Sequence, residues 1–266
     1  MNSPSDGLDT RRMLRDSVSA FTTRATDTKR IRALRGVDPG FDRALWRSLG
    51  EQGWLGILAP EEHGGQALGF AEMRIVAEGL AHALIPEPYV ACAVLATRVL
   101  THSGNTVLTQ KLLPDMIAGE KIIGVAWQEG LAGTDIASAG MRATPSPTGV
   151  VLNGVKRFVV PAAGADGFIV SAGANESTAL YYVPANANGL TCKLEKRSDG
   201  TFSGLLTFKD TLVANDCMLA AGTAATIVEY HGLAHGFISM GGGIATARLA
   251  QQQFGTALRE ALALRA

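Results

Sequence analysis

The spacing of apolar positions changes near residue 120 and divides the chain into two blocks. Before that point, four segments repeat apolar residues at helical intervals and end at glycine or proline. They cover residues 41–54, 69–84, 89–104 and 106–120. After it, six shorter segments rich in Val, Ile, Thr, Phe and Tyr are separated by Gly, Pro, Asn and Asp as far as residue 213. This pattern predicts an all-α block followed by a small β-barrel or sandwich.

From about Ala220 the apolar spacing becomes helical again, and it stays so to the last residues, "TALREALALRA". We therefore predict an α+β protein with an all-α amino-terminal domain at 1–120, a β-barrel-like middle domain at 121–218 and the start of a carboxyl-terminal helical domain at 219–266. Two turns are candidates for a hairpin in the middle domain. One is Asn153–Gly154 and the other is "PSPTG" at residues 145–149.

The charge balance and the apolar runs exclude several classes of protein. Lys plus Arg and Asp plus Glu both number 24, so the chain lacks the basic surplus that nucleic-acid binding requires. No stretch reaches the about 18–20 apolar residues of a membrane span, and the polar amino terminus lacks the apolar core of a signal peptide. The three widely spaced cysteines form no disulfide framework. We expect a soluble cytoplasmic protein with no nucleic-acid or membrane partner.

Four motifs occur in order along the α-β-α pattern. They are "LWRSLGEQGWLGILAPEEHGG" (45–65), "QKLLPDMIAGEKIIGVAWQEGLAGTD" (110–135), "VLNGVKRFVV" (151–160) and "QQQFG" (251–255). Together with Asp166 they resemble the acyl-CoA dehydrogenase family. The resemblance implies FAD as the cofactor and an acyl-CoA thioester as the substrate. It also implies a reaction in which a carboxylate removes the α-proton while the β-hydride passes to the flavin. Such chemistry requires a hydrogen-bonded thioester carbonyl and a base held away from water.

The resemblance also implies positions for the flavin site. In the family, the strand "KIIGVAW" and the loop after it lie along the flavin ring, where glycine-spaced amides can approach phosphates or the thioester. By this mapping Thr134 also lies near the substrate, while Trp127 keeps an alternative role as a core aromatic. The implied cofactor-binding residues are Trp127, Gln128, Gly133, Thr134, Phe158 and Val160.

Several positions depart from the family pattern. Gln128 stands in place of the usual Thr beside the ring, and Val160 with Pro161 replaces a hydroxyl-plus-Asn pair. Gln251 replaces an Arg that pairs with the flavin phosphate, and an amide cannot reproduce a bidentate guanidinium. The family continues past "QFG" through a helical bundle that carries the catalytic Glu in many members. No catalytic residue is therefore assigned.

Two interpretations of these departures stay open. In the first, the chain is one subunit of a heteromeric acyl-CoA dehydrogenase whose related partner brings the base. Such pairs occur among actinobacterial enzymes of steroid catabolism that act on side-chain thioesters. In the second, it is a non-catalytic partner or scaffold with a degenerate flavin site. The last helical pattern carries apolar residues on several faces, so we expect a homo- or hetero-oligomer with a related chain in either case.

Two further pairs of residues are candidates for chemistry. His231 and His235 have a spacing that zinc ligands use, but no third ligand is close in sequence, so we predict no metal site. Lys156 and Arg157 could reach a phosphate. Because they follow the Asn153–Gly154 turn candidate, solvated charges at a strand end are the favoured interpretation.

Overall fold

A computed structural model describes residues 4–25, 27–130, 140–174 and 177–220, all within one compact unit. A helical region is followed by a mixed β-sheet, which confirms the predicted fold class. The predicted carboxyl-terminal helical segment lies outside the described residues beyond Ala220, so the domain limits stay a prediction. Within the described residues, no helix is long and apolar enough to cross a membrane.

The helical block contains six α-helices. They are α1 (Pro4–Ala25), α2 (Thr28–Leu34), α3 (Arg43–Glu51), α4 (Phe70–His82), α5 (Thr97–His102) and α6 (Thr106–Ile117), and a π-helical stretch, Val90–Ala96, runs directly into α5. Three of these helices begin at a side-chain cap, because Asp27, Asp42 and Asn105 accept backbone hydrogen bonds from their first turns. The four segments predicted as helices are confirmed.

One buried carboxylate joins α1 to α4. Arg11 Nε donates to Glu72 Oε1 at 2.6 Å, and the Gly69 amide at the start of α4 donates to Glu72 Oε2 at 3.0 Å. Burial acts to raise the pKa of Glu72, but these hydrogen bonds outweigh it and hold the pKa below its ordinary value of 4.5. The ionised form of Glu72 therefore stabilises the folded chain.

Replacing Glu72 by glutamine is expected to lower the free energy of unfolding by about 1 kcal/mol near neutral pH. Because the folded-state pKa is lowered, this stabilisation is complete above pH 4.5 and is lost as the pH falls through the folded-state value. The free energies of unfolding of the variant and the wild type should therefore become equal at acidic pH. Urea unfolding of both chains across this pH range measures the difference, and a constant gap down to about pH 3 would contradict the assignment.

The sheet has eight strands: β1 (Ile123–Ala126), β2 (Arg142–Ser146), β3 (Gly149–Val159), β4 (Gly167–Ala174), β5 (Ser177–Pro184), β6 (Leu190–Lys196), β7 (Phe202–Ala214) and β8 (Met218–Ala220). Seven of them follow the order β6-β7-β3-β2-β4-β5-β8, and β1 pairs with β4. The sequence patterns missed β2, where Pro145 weakens the strand signal, and β8, which has three residues.

The hairpin prediction at Asn153–Gly154 is wrong. Ser146 pairs with Gly149, so the chain turns within "PSPTG", the other candidate. Asn153 and Gly154 instead lie inside β3, at a register shift against β7 where Gly154 has φ +144°. Since β3 continues unbroken from Gly149 to Val159, the residues after Gly154 belong to the middle of a strand and not to its end.

Among the described residues, β4 has a gap in its strand pairing along one edge. Residues 167–170 pair with β1 and Gly173 pairs with β2, while β5 occupies the opposite edge over the whole strand. β1 therefore ends, and β2 begins, along the same edge of β4, and residues 127–141 connect the two strands. We call this segment the excursion.

A polar link joins the helical block to the sheet beside β1. Arg43 Nη2, in α3, donates to Asp166 Oδ2 at 2.8 Å and to the Gly164 carbonyl at 2.6 Å. The same Asp166 oxygen accepts from the Ile122 amide at 2.8 Å. The motif position of Asp166 thus has a structural role at the start of β4.

Candidate functional site

The excursion begins with two of the predicted site residues. Trp127 and Gln128 follow β1 directly, and both are half-buried. The Gln128 carbonyl accepts from the Arg157 amide at 2.7 Å, so the beginning of the excursion lies against the far end of β3. This contact brings the two segments that the resemblance assigns to the flavin ring next to each other.

Glu129 links the first residues of the excursion to its last two. Its carboxylate accepts from the Gly140 amide at 2.7 Å and from the Met141 amide at 3.1 Å, which are the residues where the chain returns to the sheet. One acidic side chain therefore holds the two ends of the excursion together. The described residues end at Gly130 and resume at Gly140, so the predicted site residues Gly133 and Thr134 lie outside them.

Lys156 contacts Glu129 from the interior of the protein, and none of its side chain is exposed. Its Nζ donates to Glu129 Oε1 at 2.6 Å, to Ser171 Oγ at 2.9 Å and to the Trp127 carbonyl at 3.3 Å. Burial lowers the pKa of Lys156, and the ion pair with Glu129 acts against that change. The interpretation of Lys156 as a solvated charge is wrong because β3 does not end at Asn153–Gly154, and strand alternation directs this side chain to the interior.

Phe158 has an unusual backbone for a bulky residue. Its φ is +55°, in the left-handed region, and the pairing of β3 with β7 is irregular between Lys156 and Val159. An aromatic residue seldom adopts this conformation, and such backbone strain concentrates at functional sites. The local distortion leaves 40% of Phe158 exposed next to the beginning of the excursion.

A groove of about 510 Å³ lies between the helical block and the end of β3. Val160 and the three residues after it form one wall, α4 and residues 85–91 form another, and the hairpin between β6 and β7 closes one side. Of the predicted site residues, Val160 lines this groove, whereas Trp127, Gln128 and Phe158 do not. The lining is mostly apolar and suits an apolar ligand group.

Glu87 is the buried acid on the wall of this groove. Its carboxylate pairs with the Arg30 guanidinium and accepts from the Asp42 amide at 3.1 Å. Burial raises the pKa of Glu87, and the Arg30 charge opposes that rise. Both contacts engage Oε1 and join α2, the start of α3 and the segment after α4, so we assign Glu87 to the structure of the helical block.

Sequence reasoning missed Glu129 and Lys156 as parts of the site. One available signal was the two-residue period of β3, which places Leu152, Gly154 and Lys156 on one face. His231, His235 and Gln251 lie outside the described residues.

Comparison with known proteins agrees with this architecture. Residues 9–120 match the family model "Acyl-CoA dehydrogenase, N-terminal domain". The resemblance to the acyl-CoA dehydrogenase family is confirmed. Over 194 residues, 72% of this chain, the sequence is 32% identical to the mitochondrial isovaleryl-CoA dehydrogenase of Pongo abelii. The chain spans 45% of that relative's length, so the match covers less than half of the longer enzyme.

Solved acyl-CoA dehydrogenase structures share the fold of the chain. The ChsE4-ChsE5 complex from Mycobacterium tuberculosis superposes with a TM-score of 0.73 at 25% identity, covering 84% of this chain and 58% of that one. A variant of the Tcur3481-Tcur3483 steroid ACAD has a TM-score of 0.72 at 27% identity, with coverages of 80% and 57%. An acyl-CoA dehydrogenase complexed with FAD from Bacillus anthracis matches in fold, with a TM-score of 0.74 at 24% identity and coverages of 83% and 39%.

Proposed function

We propose that this chain takes part in the FAD-dependent α,β-dehydrogenation of an acyl-CoA thioester, as one subunit of a heteromeric acyl-CoA dehydrogenase. The observation that carries the proposal is the gap along β4. There the excursion leaves the sheet against the end of β3, beside the exposed ring of Phe158. Backbone groups and an aromatic face that converge at a sheet edge suit a planar heterocycle.

The residues of this region fit the cofactor in part. Trp127 and Gln128 would place main-chain groups along the flavin edge, and Phe158 would pack against the ring. Gly133 and Thr134 would approach the phosphates or the thioester, and Val160 would separate the ring from the groove. When bound, FAD supplies the hydride acceptor. The groove beside Val160 would hold the apolar part of the acyl group and keep water from it.

The base that removes the α-proton is assigned to the partner chain. Two acidic residues line the groove, and both are already paired: Glu87 with Arg30, and Asp199 with Arg197 and Thr201. Glu129 is already held by Lys156 and two backbone amides. The relatives whose names pair two chains, the ChsE4-ChsE5 complex and the Tcur3481-Tcur3483 steroid ACAD, support a heteromeric arrangement.

A second candidate function is that of a non-catalytic partner or scaffold. It is favoured by the apolar Val160 and by Gln128 at positions where the family carries hydroxyl side chains. Loss of a hydroxyl removes a hydrogen bond to the ring, which is worth about 0.5–1.5 kcal/mol. In this case the flavin that turns over belongs to the partner alone.

Replacing Phe158 by alanine separates the two candidates. The chain is co-purified with its related partner, and bound FAD is counted per complex from the visible absorbance. If Phe158 packs on the ring, the variant should bind FAD about tenfold more weakly, because a buried aromatic contact contributes about 0.5–1.5 kcal/mol beyond area burial. Phe70→Ala, at an exposed aromatic of α4, is the matched control. Unchanged FAD content and turnover in Phe158→Ala would favour the scaffold.

A further inference from the structure

Lys156 connects three segments that are separate in sequence. Besides its own strand β3, it reaches Ser171 in β4 and two residues at the beginning of the excursion, Trp127 and Glu129. Ser171 Oγ also lies 3.4 Å from the Trp127 carbonyl, so one carbonyl is held by two side chains. These contacts converge on the point where the main chain departs from the sheet.

The cost of burying this charge indicates a role beyond stability. A buried ion pair often contributes no more than well-packed apolar side chains of the same volume would, because both ions lose their hydration. Unlike apolar side chains, an ammonium group fixes the positions of its neighbours, because each of its three N–H bonds needs a hydrogen-bond acceptor. At Lys156 three acceptors are present within 3.3 Å.

The same contacts extend to the far end of the excursion. Glu129 receives Lys156 on Oε1 and the Gly140 amide on Oε2, and the Met141 amide lies 3.1 Å from both oxygens. A movement of the Lys156 ammonium therefore displaces the Glu129 carboxylate and, through it, the point at which the chain returns to β2.

We propose that Lys156 is a positioning residue that fixes the main chain at the two described ends of the excursion, residues 127–129 and 140–141. It acts through the Trp127 carbonyl at the beginning and through Glu129 at the return. The role of Lys156 in placing these residues does not depend on the proposed function, but its effect on the flavin site does. There, main-chain groups of Trp127 and Gln128 need placement to within about 0.5 Å.

The first test needs no cofactor. Amide hydrogen exchange is measured in the wild type, in Lys156→Met and in Lys209→Met, which removes an exposed lysine from the neighbouring strand β7. In Lys156→Met, the Gly140 and Met141 amides should exchange about tenfold faster relative to the amides of the β4–β5 ladder. In Lys209→Met the ratio should stay at the wild-type value. An unchanged ratio in Lys156→Met overturns the proposal.

Glu129→Gln tests the same link if Lys156→Met does not fold. The Glu129 side chain is one-quarter exposed. Glutamine keeps its shape and removes its charge, so the variant does not leave a cavity. We expect exchange at Gly140 and Met141 to rise about fivefold. Unchanged exchange at Gly140 and Met141 in Glu129→Gln would overturn the proposal, whether or not Lys156→Met folds. Where Lys156→Met folds, the double variant should exchange no faster than Lys156→Met alone, because the two side chains act as one unit. Additive effects in the double variant would contradict this link.

A second readout addresses the flavin site. In the complex with the partner chain and FAD, Lys156→Met should lower kcat about tenfold with KM little changed and should shift the visible band shape of bound FAD. Lys156→Arg should recover part of kcat and part of the wild-type band shape. If the wild-type complex binds no FAD, the proposed function fails, while the exchange experiment still decides the role of Lys156. If FAD is bound and its spectrum and kcat are the same in Lys156→Met, the consequence for the flavin site is wrong.

Discussion

Replacing Trp54 by alanine is expected to lower the free energy of unfolding by about 3–5 kcal/mol. Trp54 is 1% exposed and lies in the apolar core of the helical block. Its ring meets Phe21 edge to face, with 5.0 Å between the ring centroids, so the substitution removes an aromatic pair as well as apolar volume. Since Phe21 belongs to α1, the loss also weakens the attachment of the first helix.

Urea unfolding followed by circular dichroism measures this loss. The matched control is Val107→Ala on α6, where the side chain is 73% exposed and the expected change is about 0.5 kcal/mol or less. A decrease of under about 1 kcal/mol for Trp54→Ala would show that the core does not pack around this ring as described.

The second large effect concerns the adjacent glycines Gly64 and Gly65 of the amino-terminal motif. A Cβ added to Gly65 would lie 2.1 Å from the Ala59 carbonyl oxygen and 2.4 Å from its carbon. Because both atoms belong to the backbone, the loop has to move. Gly65→Ala is expected to lower the free energy of unfolding by about 3 kcal/mol, at the upper end for overpacking.

Gly64 is the control for this prediction. It has φ +84° and open space around the Cβ position, so alanine there meets only the penalty of the left-handed backbone, about 1–2 kcal/mol. The two single variants, compared by thermal unfolding, should therefore differ, with Gly65→Ala the less stable. Equal melting temperatures would contradict the contact with Ala59.

Local periodicity predicted most of the fold. The segment 106–120 contains α6 because its apolar residues share one face, and "STALYYVP" matches β5 from Ser177 to Pro184 because β-branched and aromatic residues are bounded by turn residues. Two strands were missed where this signal is weak, at Pro145 in β2 and in the three residues of β8.

The site was harder to predict because its contacts join distant residues. Asn153–Gly154 has the composition of a hairpin turn, but pairing with β7 keeps it inside a strand, and that pairing is not visible in the local sequence. The error placed Lys156 in solvent. Its ion-pair partner Glu129 lies 27 positions earlier in the chain, so the local sequence around Lys156 does not reveal the pair. The positions of Trp127, Gln128 and Phe158 came instead from the resemblance, and their roles stay predictions.

The visible absorbance of the FAD-loaded complex under anaerobic conditions shows whether this chain contributes to an acyl-CoA dehydrogenase site. Straight-chain, branched-chain and steroid side-chain CoA thioesters are added in turn to the chain purified with its related partner. We expect at least one thioester to bleach the flavin band, and Phe158→Ala in this chain to slow the bleaching. Full FAD loading with no bleaching by any thioester would show that the chain has no part in such a site.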